Sequence, residues 1–360
     1  MIVTKLQLNQ FKNYEDRSFE FSNKINCFVG KNGIGKTNVL EAIHYLALTK
    51  GFGSSLDKHN IQFNKDYFIL EAVINNGTEL DKVSCIVNTG RKKKIKKNEA
   101  EVSKIADYIG YLPLVMISPY DRDLITESAD SRRKYIDAIL SQVNKSYLNT
   151  LIAYNKTLQQ RNALLKYFAK NQCYDRNQLE VYNVQLSEYA QYIFHHRKAY
   201  VEEIKNRFKE QYKYISNASE EVDMTYKSQL FNGELAVLLD QNVDKDRLLQ
   251  HTSAGIHRDD LVFTINGNPI KRFGSQGQQK SLLIALKLAQ YDYLKNVNKT
   301  KPILLLDDVF DKLDEYRVKA IIDLVNSDYF GQIFVTDTHK DRIENLLSQL
   351  KVESNLVELS

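Results

Sequence analysis

The chain has 360 residues, 43% of them hydrophobic and 26% charged, with no tryptophan and a formal net charge of +5. That supplies enough apolar side chain for one large or two ordinary domains and excludes a disordered chain, while the mild basicity fits an anionic partner without requiring one. Cys27, Cys85 and Cys173 show no CxxC spacing, which argues against structural zinc and for a reducing compartment. Met1 to Leu6 lacks the apolar core of a signal peptide and no apolar run reaches the roughly 18 residues of a membrane span, so the expectation is a cytoplasmic protein without membrane attachment.

In chain order, Ile2 to Leu8 and Phe19 to Phe21 read as strands separated by the turn-prone Lys12-Asn13-Tyr14, and are expected to form an edge beside the motif that follows. Ile25 to Val29 is a short apolar strand leading into Gly30-Lys31-Asn32-Gly33-Ile34-Gly35-Lys36-Thr37-Asn38, a complete phosphate-binding loop. Glycines let backbone N–H groups converge on a phosphate, Lys36 supplies a point charge for the β and γ oxygens, and Thr37 is placed to ligate Mg²⁺. Val39, Leu40, Ile43, Leu46 and Ala47 recur at helical spacing, so the loop opens a helix docked on a sheet.

Tyr67 to Ile74 and Val83 to Val87 are β-branched and aromatic runs joined through Asn75-Asn76-Gly77, a hairpin signal. The next turn carries Arg91, Lys92, Lys93, Lys94, Lys96 and Lys97, the densest positive cluster in the chain, which reads either as a solvated hairpin tip or as a contact to a nucleic-acid backbone. Leu114 to Ile117 is a last short strand broken by Ser118-Pro119. From there to about Gln211 most of the pattern is helical, and two long amphipathic helices joined near Asn171 to Asn177 should pair antiparallel, with tyrosines as packing residues. No heptad repeat runs on into a long coiled coil.

Val222 to Tyr226 returns to strand, and Leu261 to Ile265 with Asn266-Gly267-Asn268-Pro269 reads as a hairpin. Gly274-Ser275-Gln276-Gly277-Gln278-Gln279-Lys280 precedes a helix expected over Ser281 to Leu294, an anion-binding arrangement at a helix N-terminus. Ile303-Leu304-Leu305-Leu306 then delivers Asp307 and Asp308 at the end of a buried strand, where an α/β sheet holds Mg²⁺ and polarises water. Asp311-Lys312-Leu313-Asp314 follows, and Ile333 to Thr336 is a further strand leading to Asp337-Thr338-His339.

Together these residues resemble the ABC-type ATPase head of SMC-like chromosome and repair proteins, and within that group the bacterial RecF family of recombination mediators. The likeness runs through Asn9-Gln10-Phe11-Lys12-Asn13-Tyr14, the loop and Leu40-Glu41-Ala42-Ile43, Arg132-Arg133-x-x-Ile136-Asp137 and Tyr154-Asn155. It continues with His257-Arg258-Asp259-Asp260-Leu261, Ser275-Gln276-Gly277-Gln278-Gln279-Lys280 and Leu305-Leu306-Asp307-Asp308. Departures are Gly51-Phe52-Gly53, where the family often has a basic residue, and Asp337 at the position of the ABC switch histidine, with His339 two residues on. No Q-loop glutamine stands near Ile117-Ser118.

The resemblance implies an α/β P-loop head with an inserted helical lobe: head over 1–117, lobe over 118–215, head again over 216–360. It implies ATP and Mg²⁺ as cofactors and an ATP-dependent, two-fold head-to-tail homodimer. In that dimer Lys36 and the loop hold phosphates, Thr37 and Asp307 hold Mg²⁺, and Asp308 orients water. Ser275, Gly277 and Gln278 reach the nucleotide across the interface. It further implies weak ATPase activity, binding of duplex DNA near single-strand gaps with Arg132 and Arg133 as further candidate contacts, and work with RecR and RecO in loading RecA. The alternative weighed against it is the ATPase subunit of an ABC transporter.

Overall fold

The computed structural model describes residues 1–52, 56–216, 220–310, 315–350 and 352–360, with Glu315 described by its backbone only. Gly53 and Asp311-Lys312-Leu313-Asp314, singled out above, lie outside these residues. The chain opens with the hairpin β1 (Ile2–Phe11) and β2 (Tyr14–Glu20), enters β3 (Ile25–Val29) and, after the loop, α1 (Lys36–Leu48). Next come β4 (Tyr67–Asn75), β5 (Leu80–Asn88), β6 (Lys94–Lys97), the two-residue β7 (Ala100–Glu101) and β8 (Leu114–Ile117). After short helical turns come the longer helices α2 (Ala129–Val143), α3 (Lys145–Asn171) and α4 (Arg176–Ser216), then β9 (Val222–Lys227). Short helices α5 (Leu235–Gln241) and α6 (Val243–Leu249) lead to β10 (Asp260–Ile265) and β11 (Asn268–Pro269). The remainder is α7 (Gln276–Asn298), β12 (Ile303–Asp307), α8 (Glu315–Asn326), β13 (Ile333–Asp337), α9 (Lys340–Ser348) and β14 (Ser354–Glu358).

Two compact units result: Met1–Asp121 with Glu210–Ser219 and Gln276–Ser360, and Arg122–Lys209 with Glu220–Ser275. The first carries a five-stranded, all-parallel sheet in the order β14-β3-β13-β12-β8. Every residue of β3, β8, β12 and β13 is buried, as parallel strands covered on both faces require, which is why they read as largely apolar runs. All strands of this sheet point the same way, so Val29, Asp307 and Asp337 end on one edge. A six-stranded antiparallel sheet, β2-β1-β4-β5-β6-β7, makes the second layer of this unit. Its aromatic residues Phe11 and Phe68 pack edge-on at 5.2 Å, and Tyr45 of α1 meets Phe68 at the same spacing.

Several expectations need correction. The second strand of the first hairpin, expected at Phe19 to Phe21, begins at Tyr14, its polar Tyr14-Glu15-Asp16-Arg17-Ser18 being a strand because β1 supplies its ladder bonds; the hairpin itself is an edge beside the phosphate loop, as expected, with β2 the edge of the antiparallel sheet. The helix expected from Ser281 begins at Gln276, since Gln278, Gln279 and Lys280 are good helix formers and Gly277 sits in a first turn whose N–H groups lack helical partners anyway. The expected lobe boundary at 215 also moves. The second unit ends within α4 at Lys209 and then resumes at Glu220, so β9, β10 and β11 belong to it and not to the head.

Within the second unit α3 and α4 are antiparallel, as expected: Arg161 Nε donates to Asn183 Oδ1 at 2.8 Å and Thr157 Oγ1 to Gln185 Oε1 at 3.4 Å, so positions rise on one helix as they fall on the other. Tyr147, Tyr154 and Tyr200 are buried, which bears out packing as their role. The buried Arg197 guanidinium bridges Asp137 and Asp259, and Tyr226 donates its hydroxyl to Asp259 at 2.5 Å. Among the His-Arg-Asp-Asp residues, Asp259 thus holds the helices to β9 and β10, whatever else that element does. His257 Nε2–H donates to Thr252 O at 3.0 Å, and Nδ1 meets the Tyr154 hydroxyl at 2.8 Å.

Burial holds the His257 pKa down at about 4, from an ordinary value of 6.5. As pH falls from about 6.5 toward 4 the unfolded chain takes up this proton and the folded chain does not, so stability is lost across that window at up to about 1.4 kcal/mol per pH unit. Urea unfolding at pH 7 and pH 5 should therefore show His257→Gln losing roughly 2 kcal/mol less than the parent over that interval; equal losses would show that His257 is not the group responsible.

Candidate functional site

The loop between β3 and α1 is shaped by positions only glycine tolerates. Gly30 (φ 151°) would place a Cβ 2.7 Å from the carbonyl oxygen of Leu359, and Gly35 (φ 110°) would place one 2.5 Å from the Asn13 amide. Gly35 is also the N-cap of α1 with no side-chain cap, so the first N–H groups of the helix are left for an anion. Lys36 Nζ donates to the carbonyl oxygens of Gly30 at 2.7 Å and Lys31 at 3.0 Å, spanning the loop from behind. Lys31, Asn32 and Gly33 are exposed, Ile34, Thr37 and Asn38 half-buried.

The two halves of the motif meet across 270 residues. Thr37 Oγ1 donates to Asp307 Oδ1 at 2.8 Å, and Thr336 Oγ1 donates to the same oxygen at 2.7 Å. Asp307 is buried and desolvation raises its pKa, a pull opposed by both hydroxyls and by the field of Lys36. A desolvated carboxylate beside a hydroxyl is a hard oxygen pair that suits Mg²⁺, which keeps several waters and takes few protein ligands. Asp308 follows with φ 47°, its N–H donating to Thr336 Oγ1 at 3.0 Å, a strained backbone of the kind that collects at reaction centres.

Some contributors carry no role that the sequence alone assigns. Asn13 Nδ2 donates to Ile34 O at 2.8 Å and its Oδ1 accepts from Asn38 Nδ2 at 2.7 Å, while Tyr14 Oη donates to Gly35 O at 3.2 Å. Lys12 pairs with the buried Glu41 of α1; burial lowers its pKa to about 8, against the raising field of Asp307. The signal was the Asn-Gln-Phe-Lys-Asn-Tyr run itself, whose polar residues at a tight turn otherwise have no reason to be so specific.

Other expected residues are placed as follows. Ser275 is the last residue of the second unit, whereas Gly277 and Gln278 lie in the first turn of α7 in the first. Ser275 and Gly277 are exposed. At the switch position, Asp337 Oδ1 accepts the His339 N–H at 2.8 Å and its Oδ2 lies 3.6 Å from Arg342 of α9, while His339 is exposed.

The basic cluster is only partly free. Lys93 Nζ is tied to Asp57 at 2.9 Å, to Thr49 O at 2.6 Å and to Tyr45 Oη at 3.0 Å; Lys97 pairs with Asp81 at 3.1 Å and Lys94 with Glu101 at 3.4 Å. Arg91 and Lys92 are exposed and Lys96 half-buried. Arg132 holds Asp260 through Nε at 2.6 Å and Nη2 at 3.1 Å, and Arg133 donates to Asp259 O at 2.8 Å, so both are engaged within the second unit. Among the described residues no helix is long and apolar enough to cross a membrane.

The comparisons agree with this geometry. The family described as RecF/RecN/SMC N terminal domain matches residues 2–357. The DNA replication and repair protein RecF of Flavobacterium johnsoniae is 49% identical over 347 residues, 96% of this chain and 97% of that one. RecF of Phocaeicola vulgatus is 41% identical over 355 residues, 98% and 95% of the two chains. Among solved structures, the recombination mediator protein RecF-ATP in the RecFOR pathway has a TM-score of 0.88 at 31% identity, covering 94% of this chain and 92% of that one. An Smc head bound to the C-winged helix domain of ScpA, 17% identical with a TM-score of 0.56 over 96% and 92%, shares the fold alone. With the phosphate loop, the Asp307-Asp308 strand end and this near-complete match in view, the chain belongs to the RecF family of DNA replication and repair proteins, with the SMC-like ABC-type ATPase head fold.

Proposed function

We propose that this protein is an ATP-switched, DNA-binding mediator of recombinational repair, acting in the cytoplasm. Two copies close on ATP in head-to-tail symmetry, bind duplex DNA beside single-strand gaps and, with RecR and RecO, help load RecA; slow hydrolysis, stimulated by DNA, resets the cycle. The observation that carries this reading is the Thr37–Asp307 contact of 2.8 Å at the mouth of an uncapped helix, which places a phosphate cradle and a carboxylate strand end in one site. Relatives named for DNA replication and repair over nearly the full length leave no support for the transporter alternative.

In this reading Lys36 and the loop N–H groups bind the β and γ phosphates, and Thr37 with Asp307 would hold Mg²⁺, which neutralises phosphate charge when bound. Asp308, lifted by its positive φ, orients the attacking water. Its carboxyl is one methylene shorter than the glutamate common in such heads, which favours a slow timer. Ser275, Gly277 and Gln278 meet the γ-phosphate of the partner protomer, a use for an exposed helix N-terminus that a lone chain does not have.

Lys36→Met should abolish ATP-dependent dimerisation in analytical sedimentation, because it removes the charge that compensates the β and γ oxygens. By contrast Asp308→Asn should dimerise with ATP and persist as a dimer while turnover falls at least about tenfold, the scale of losing a positioned base or orienting group. Turnover equal to the parent would move the water-orienting role elsewhere. For DNA, the tied lysines are excluded from the test and Arg91, Lys92 and Lys96 are changed to Gln. Affinity for gapped duplex should fall, and its logarithmic salt slope should flatten by about 0.9 for each phosphate that is no longer neutralised. An unaltered slope would return the segment to a solvated hairpin tip.

A further inference from the structure

The strand β13 is apolar through Ile333, Phe334 and Val335 and then places a threonine, Thr336, fully buried inside the parallel sheet. Its ladder neighbours are Phe28 of β3 on one side and Asp307 of β12 on the other. Phe28 has no polar side-chain atom to offer, and a valine would fill the same space. A hydroxyl shut away from water here is unfavourable unless it finds partners. Both partners it finds belong to the nucleotide site: the hydroxyl donates its one hydrogen to Asp307 Oδ1 at 2.7 Å and accepts the N–H of Asp308 at 3.0 Å.

Asp308 is where the chain leaves the sheet. The register of β12 with β13 ends at Asp307 and Thr336, and beyond it the Asp308 N–H is received by the Thr336 hydroxyl. That bond is made while Asp308 holds φ 47°, a left-handed backbone that costs free energy in any residue with a Cβ. One side chain of β13 therefore bears on two neighbouring carboxylates in different ways. It meets Asp307 at its side-chain oxygen and Asp308 at the main chain, which sets the direction in which the second carboxyl leaves the strand end. Charge on Asp307 polarises the hydroxyl and makes its oxygen a better acceptor for the Asp308 N–H, so the two bonds reinforce each other.

We infer that Thr336 is a positioning residue for hydrolysis: its hydroxyl holds the Asp308 main chain in the left-handed conformation that aims the carboxylate at the attacking water. The inference rests on the reading of Asp308 as the water-orienting group. A residue that only filled the sheet would do so by shape, which valine copies; a residue that positions Asp308 does so by the hydroxyl, which serine copies.

Thr336→Val should still dimerise with ATP in sedimentation and keep the parental KM for ATP, while kcat falls at least about tenfold, the scale of misplacing an orienting group. Without nucleotide, hydrogen–deuterium exchange should show the peptide carrying Asp308 losing protection while the bodies of β3 and β13 keep theirs. Thr336→Ser should recover most of both losses. In the Asp308→Asn background Thr336→Val should slow turnover no further, because the group it positions is already gone. Where the valine variant does not fold, Thr336→Ala serves the same comparison with serine. Parental kcat in Thr336→Val, or a serine variant as slow as the valine one, would overturn the assignment. So would a loss of kcat that extra Mg²⁺ restores, since that places the effect on Asp307. Parental turnover in Asp308→Asn alone would overturn the water-orienting reading instead.

Discussion

Everything at the site depends on one buried carboxylate oxygen. Asp307 Oδ1 accepts from Thr37 at the start of α1 and from Thr336 at the end of β13, so a helix and two neighbouring strands converge on one atom. Placing that charge out of water is unfavourable, and two neutral hydroxyls compensate it only in part, which leaves the carboxylate in need of a cation. The parallel sheet makes the arrangement possible because its strands all deliver their ends to the same edge, and the buried apolar bodies of β3, β12 and β13 keep those ends in register.

Much of this is legible in the residues because it is local. Gly30 to Thr37 needs its glycines for backbone reasons that hold in any context, and an apolar run ending in Asp307-Asp308 has few other uses. What escapes a reading of the sequence is set by tertiary neighbours. The run around Asn13 marks the turn but not the partners, Ile34 and Asn38, that its amide braces, and nothing around Lys93 says that Asp57 and Thr49 will claim its ammonium group. Arg132 and Arg133 are candidates for DNA in the sequence and are engaged within the second unit in the structure, because Asp259 and Asp260 arrive some 126 to 128 residues later to meet them. The early start of α7 has a local reason instead: a glycine costs little in a helix's first turn, so Gly277 does not hold the helix back to Ser281.

The second unit shows why motif strength and functional role are different things. His257-Arg258-Asp259-Asp260 is among the most specific signatures in the chain, yet its side chains satisfy Tyr154, Thr252, Arg197 and Arg132. A buried arginine flanked by two carboxylates is costly to break and poor at adding net stability, so such a network fixes which helices meet more than how tightly.

The position of β3 has a consequence for how the protein is made. The strand that carries the phosphate loop is hydrogen-bonded on one side to β13 and on the other to β14, and Leu359 donates its N–H to Val29 O at 2.9 Å. Residues 25 to 29 therefore wait on the ribosome for partners synthesised more than 300 positions later, with an apolar strand unpaired throughout. The strand that leads into the phosphate loop therefore has its place in the sheet completed only when β13 and β14 have joined it on either side.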